Sequence, residues 1–333
     1  MLTRRQNFME TIKGGNPDRF VNGHEAFKNI RFSPLGRVNP RPSKGGEPVK
    51  NGWGVTYLFP EHVPAAFPYH DEEHIVLHER DMEHWRDFVH APEINFTEED
   101  WAEAIKDAES IDRNEYFATV TVAPGIFEMT HHLMSMVGAL EAYLEYPDEM
   151  HELIDYLVEY ELKVAEQICK YVHPDCILHH DDWGSLINSF LSPEMFDEFI
   201  VPAFTKIYGY YKSHGVEVIA HHSDSYAANL VPGMIKMGID VWQGPAGTNN
   251  VKELIEKYGP QITFMGEIDN TVVDVDDWTE EKCYNQVKYI CEKNGMKYFI
   301  PCILGGCCHA GVGQACLDTV CKYNMERFGI CTQ

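Results

Sequence analysis

The sequence predicts an α/β protein, a (β/α)8 TIM barrel of parallel strands, and three observations carry that prediction. Short apolar runs alternate with amphipathic helical stretches along the chain. Strand after strand ends in polar, metal-competent side chains. Cys176-Ile177-Leu178 runs into His179-His180-Asp181-Asp182, the run from Val216 to Ala220 ends in His221-His222-Ser223-Asp224, and the run from Ile262 to Gly266 meets Glu267-Ile268-Asp269. A length of 333 residues suits one such barrel, whose site would lie at the C-terminal mouth.

Taken in order, residues 1–18 read as an amphipathic helix stopped by Gly14-Gly15-Asn16-Pro17. Val21-Asn22-Gly23-His24-Glu25 reads as the first strand and its polar end. Residues 33–70 are rich in Pro and Gly and carry Trp53, Tyr57, Phe59, Phe67 and Tyr69. So long a stretch predicts a folded insertion covering a pocket. Helices follow at 81–88 and 98–111, then a strand from Phe117 to Val122. The next helix bears His131 and His132, which sit among Met129, Leu133 and Met134 and read as core residues. A long helix over 147–171 has apolar residues Met150, Leu153, Ile154, Leu157 and Val158 at helical spacing. After the Cys176 strand comes a helix from Ser192-Pro193 to about 214, a helix start with proline in its first turn. The second half repeats the alternation: strands at 216–220, 239–242, 262–266 and 297–303, helices at 226–237, 250–258, 278–294 and 314–328. The whole of 1–333 reads as one domain.

Composition narrows the function. A formal net charge of -25, from 52 acidic and 27 basic residues, argues against nucleic acid or an anionic membrane as partner. No stretch approaches the ~20 apolar residues of a membrane span. The polar start lacks a signal peptide's apolar core, so a cytoplasmic location is expected. That location predicts that the ten cysteines are reduced thiols. Cys169, Cys176, Cys283, Cys291 and Cys321 fall in apolar or helical patterns and read as packing residues. Cys302, Cys307 and Cys308 lie in a glycine-containing stretch after a strand.

The strand ends carry the chemistry. His222 and Asp224 offer a nitrogen and a carboxylate two residues apart. Glu267 and Cys302, with Cys307 nearby, end later strands. A His/Cys/carboxylate set with one open position suits catalytic zinc. The bland alternative is local hydrogen bonding by His221 and His222 around a buried Cys302. Asp182, His222 and Glu267 are the catalytic candidates. His24, Trp53, His180, Asp181, Trp183 and Gln243 are the candidate substrate-binding residues, with Trp183 as a pocket wall. Asp181 and Asp182 read equally well as helix-capping or loop aspartates. Gly305-Gly306 lacks the lysine of a phosphate loop, and no Gly-x-Ser-x-Gly elbow is present.

Several segments, Pro124-Gly125-Ile126-Phe127-Glu128, Asp181-Asp182-Trp183-Gly184-Ser185, Leu191-Ser192-Pro193-Glu194-Met195-Phe196, His222-Ser223-Asp224 and Met265-Gly266-Glu267-Ile268-Asp269, together resemble the uroporphyrinogen decarboxylase superfamily. Asn51-Gly52-Trp53-Gly54-Val55 resembles its cobalamin-dependent methyltransferase branch. The resemblance implies the eight-stranded barrel with its site in the mouth. The arginine-rich N-terminal segment of the true decarboxylase is missing, and Val21 to Phe27 stand in its place. The branch that loads coenzyme M binds zinc through a His-x-Cys pair and a distant Cys. Here His222 matches the histidine, Asp224 falls where the first cysteine would be, and Cys302 falls near the second. A carboxylate in place of a thiolate makes a harder Lewis acid, suited to an oxygen-bound substrate such as a methoxylated aromatic. The resemblance thus implies O-demethylation, with the methyl group passing to the Co(I) corrinoid of a partner protein. The alternatives are a metal-free decarboxylase or lyase, a non-catalytic corrinoid-binding barrel, and a methyltransferase with coenzyme M or homocysteine as acceptor. A homo-oligomer is compatible with the sequence.

Overall fold

The computed structural model describes residues 1–331. Its ten strands, in chain order, are β1 Phe27–Asn29, β2 Val49–Lys50, β3 Thr56–Leu58, β4 Phe67–Pro68, β5 Phe117–Val122, β6 Cys176–His180, β7 Val218–His222, β8 Val241–Gln243, β9 Thr263–Ile268 and β10 Phe299–Ile303. A seven-stranded sheet runs β1-β5-β6-β7-β8-β9-β10, and every neighbouring pair in it is parallel. Helices link the strands, as parallel connections require. The sheet is one strand short of the expected eight among the described residues.

The N-terminal strand is displaced from its expected place. Val21 to Glu25 is not a strand. Gly23 takes a left-handed φ of 53° and breaks the extended run. Its N–H donates to the carbonyl of Pro301 at 3.2 Å. The segment therefore lies against β10 without forming a ladder, and the first strand begins later, at Phe27.

Side-chain alternation along β6, β7, β8 and β10 sorts residues between the two faces of the sheet. Cys176, Val218, Ala220, Val241, Met265, Ile300 and Cys302 form one buried apolar cluster, with Leu178 packed on it. Phe8 joins this cluster from the first helix, Arg4–Ile12, and packs on Phe117 at 5.3 Å between ring centroids. A capping box starts that helix: Thr3 accepts from the Gln6 N–H, and Gln6 accepts from the Thr3 N–H. The opposite faces of the strands pack under the long helix Pro147–Val172 and the helix Val201–Ser213.

Residues 33–70 carry the antiparallel sheet β2-β3-β4. Asn51 shapes its turn, because its Oδ1 accepts from the N–H groups of Trp53 and Val55, each at 3.0 Å. No helix is long and apolar enough to cross a membrane among the described residues. Cys169, Cys176, Cys283 and Cys291 are buried thiols, as expected. Cys321 departs from expectation, because it forms a disulfide with Cys331 across a Cα–Cα distance of 5.1 Å.

One buried pair inside this frame lacks ordinary partners. Glu161, on the long helix, faces His179 of β6 at 3.8 Å. Glu161 Oε2 and both His179 ring nitrogens make no hydrogen bond among the described residues. Burial pushes the Glu161 carboxyl up to about 8 and holds the His179 imidazole down at about 3. Glu161 thus favours the fold in its protonated form. Its contribution is complete below the ordinary carboxyl range and is lost as pH rises toward about 8. In urea unfolding this decline is read between about pH 7 and about pH 9, above the range where the buried His179 acts in the opposite sense. Glu161→Gln should flatten it and be the more stable protein at the alkaline end; an unchanged slope would assign the decline to other groups.

Candidate active site

The strand ends open into a mouth cavity of about 1010 Å³. Parallel register sets its floor. His180 pairs across the ladder with His222, and His222 with Gln243. The rings of His180 and His222 stack with centroids 4.4 Å apart. Asp182 lies against both, with Oδ2 4.0 Å from His180 Nε2 and Oδ1 3.9 Å from His222 Nε2. The three residues bring one ligand atom each within 4.8 Å of one another.

Each imidazole has a partner on its other nitrogen. His180 Nδ1 donates to Glu128 Oε2 at 2.8 Å. His222 Nδ1 is hydrogen-bonded to Gln243 Oε1. The Gln243 amide is fixed in turn, because Nε2 donates to the carbonyls of Ile303 at 3.2 Å and Leu304 at 3.1 Å. Gln243 Oε1 must therefore accept, His222 Nδ1 carries the hydrogen, and its Nε2 lone pair is left facing Asp182.

The electrostatics follow from burial and from the carboxylates. Burial lowers His180, but the Glu128 hydrogen bond and the charges of Glu128 and Asp182 outweigh it and raise the imidazole to about 9. Burial lowers His222, opposed by Asp182. Burial, then the nearby Asp182, raises the Asp224 carboxyl to about 7. Asp224 fits beside Gly305 because that residue has no side chain; a Cβ there would lie 2.5 Å from Asp224 Oδ2.

Asp181 is a positioning residue. Fully buried, it accepts from the N–H groups of Phe127 at 3.0 Å and Glu128 at 2.7 Å, the first turn of the helix Ile126–Met134. It also accepts from Trp183 Nε1 at 2.9 Å. Gly125 permits this approach, since a Cβ there would meet the Asp181 Cβ at 2.5 Å. The helix so anchored presents Glu128, His131 and His132 to the mouth.

The expected site residues divide clearly. His180, Asp182, His222 and Asp224 line the mouth. Asp181, Trp183 and Gln243 stand behind it and do not line it. Trp183 is 1% exposed and stacks on His221 at 3.8 Å, so it braces the floor and is no wall. Trp53 instead borders a separate cavity of about 530 Å³ with Tyr160 and Glu161, and packs on Tyr160 at 4.8 Å. His24 lies outside the mouth, in a cleft with Arg4, Tyr116 and Leu317, and its Nδ1 is 3.7 Å from Cys302 Sγ.

The structure does not bring Glu267 to the mouth. It takes φ 64°, which interrupts the alternation of β9 and turns the side chain to the helix Glu280–Asn294. There it pairs with Lys293 at 2.8 Å and accepts from Asn294 Nδ2. Cys302 sits deeper, in the apolar cluster, and burial pushes its thiol up to about 12. Cys307 packs against the main core, whereas Cys308 lines the mouth. Reasoning from the sequence placed His131 and His132 in the core and missed their access to the cavity. Arg41 was missed as well; its guanidinium lies 3.6 Å from the Tyr57 ring centroid.

Comparison with known proteins agrees with this frame. The uroporphyrinogen decarboxylase (URO-D) family matches residues 69–302. The chain belongs to that family. A solved structure, "methyltransferase from Methanosarcina mazei", aligns with a TM-score of 0.64 at 14% identity, covering 97% of this chain and 99% of that one. At such identity the likeness speaks for the URO-D-like fold. None of the curated proteins matches the chain.

In this URO-D family member Glu267→Ala is expected to cost on the order of 3 kcal/mol in chemical unfolding, since Lys293 and Asn294 lose a buried partner. The arrangement of His180, Asp182 and His222 should be unchanged. An unchanged unfolding midpoint would show that this pairing does not hold the fold.

Proposed function

We propose that this chain is the substrate-side methyltransferase of an O-demethylase system. It moves a methyl group from a small methylated substrate, a methoxylated aromatic, to the Co(I) corrinoid of a partner protein. One observation carries the reading: His180, Asp182 and His222 converge at the floor of a cavity large enough for a substrate. Membership of the URO-D family and the fold shared with a methyltransferase support it.

The donor set fits zinc. Two imidazoles and a carboxylate make a three-ligand set that leaves a position for substrate. Glu128 and Gln243 orient the imidazoles through their other nitrogens, the arrangement that zinc-binding histidines favour. Bound there, zinc would polarise the ether oxygen of the substrate. The corrinoid would supply the nucleophile that takes the methyl group.

The chain's own residues do the rest. Asp224 faces the cavity beside Asp182, whose Oδ1 accepts from the Asp224 N–H at 3.0 Å. We assign Asp224 to protonate the departing oxygen, because an alkoxide or phenoxide leaves poorly. Residues Pro64 to Pro68 cover one side of the mouth and restrict water. Arg41 is placed to pair with an acidic group on the aromatic ring.

A second reading has an observation of its own. His180, held protonated by Glu128, is a ready general acid, which suits metal-free decarboxylation or another lyase reaction.

The test uses zinc-loaded protein with reduced corrinoid protein and a panel of methoxylated aromatics. Methyl-cobalt should form, read as loss of Co(I) absorbance. His180→Ala and His222→Ala should slow it about 100-fold or more, the several kcal/mol expected of a lost Lewis acid. Cys302→Ala should retain most of the rate. Folded wild-type protein that takes up no zinc would overturn the metal-assisted reading and favour the acid–base one.

A further inference from the structure

Outside the His180/Asp182/His222 set, the same cavity holds a second convergence of donor atoms. Glu128, His131 and His132 bring one ligand atom each within 4.8 Å of one another. They occupy successive turns of one helix face, with Glu128 and His132 four residues apart. We propose that these three residues form a second site for a borderline divalent cation, so that the mouth takes two metal ions side by side.

Two independent features support a ligand there. The His131 imidazole makes no hydrogen bond among the described residues, although the residue lines the cavity. A half-buried imidazole bordering a cavity, with no protein partner on its ring, is free to take a ligand. His132 is oriented as a ligand would be: its Nδ1 is 3.0 Å from Tyr57 Oη, which leaves Nε2 available. The charge lining the cavity is compatible with cations. Glu128, Asp182, Asp224, Asp269 and Asp274 all line this cavity, and Arg41 is the only lysine or arginine there among the described residues. Carboxylates crowded in this way are relieved by protons, as at His180 and Asp224, or by bound cations.

Glu128 links the two sites. It belongs to the second donor set and accepts from His180 of the first. Two nitrogens and one oxygen suit zinc or cobalt(II) rather than calcium or magnesium. Two adjacent dications can clamp one substrate group between them. This inference rests on the proposed metal site at His180, Asp182 and His222 only for the word second; the donor set itself stands alone.

The experiment is anaerobic titration of the full-length, metal-stripped protein with cobalt(II) alone, read by visible absorption and by bound metal after gel filtration. Wild type should bind two equivalents. His131→Ala, which breaks no hydrogen bond, should bind one, and His222→Ala should bind one. Tyr57→Phe keeps all the ligands and should weaken one of the two sites by about 10-fold, with folding checked by circular dichroism. One equivalent in wild type, still held by His131→Ala, overturns the second site and leaves the first intact. One equivalent lost in His131→Ala but kept in His222→Ala overturns the first site instead and sustains this donor set. No bound cobalt in wild type overturns both.

Discussion

The mouth depends on a single buried carboxylate. Asp181 accepts three N–H groups, two from the first turn of the helix Ile126–Met134 and one from Trp183. Three short hydrogen bonds to one buried group fix its position, and at a helix N-terminus the dipole adds to them. The bonds lock the helix bearing Glu128, His131 and His132 against the strand bearing His180. Without them Glu128 would have no fixed position from which to hold His180. Burial, and then the nearby charge of Glu128, raise the Asp181 carboxyl well above the usual carboxylate range, and the three donors only partly oppose that shift.

Around that anchor the sheet register completes the floor. Parallel pairing places His180, His222 and Gln243 abreast on three adjacent strands. Alternation then aims the two imidazoles at the same space. The glutamine is set by the carbonyls of Ile303 and Leu304, so the end of β10 determines the tautomer of a histidine on β7. The geometry is thus a property of the whole sheet, and a small shift in any one strand would disperse the donors.

Much of this was legible in the sequence. The alternation of apolar runs and amphipathic stretches located the six strands from β5 to β10 and the helices between them. The polar endings after Leu178 and Ala220 pointed to His180, Asp182, His222 and Asp224, all of which line the mouth. Three things were hidden, each for a physical reason. A positive φ at Glu267 reverses a side chain without any sequence mark, since glutamate is not a residue that announces the left-handed region. Depth within a strand end is a three-dimensional quantity, so Cys302 looked equivalent to His222 although it lies among Ile300, Met265 and Val241. His131 and His132 sat among methionines and leucine, and a helix face shared by a core and a cavity carries the same apolar pattern as one facing a core alone.

The central claim is that a nitrogen- and oxygen-donor centre at His180, Asp182 and His222 organises this mouth. X-ray absorption at the zinc edge, on His131→Ala protein loaded with one equivalent of zinc, tests it most directly, because that variant lacks the second donor set. The account predicts a first shell of nitrogen and oxygen alone, with the outer-shell scattering of imidazole. A sulfur shell at about 2.3 Å would place a cysteine on the metal and contradict it.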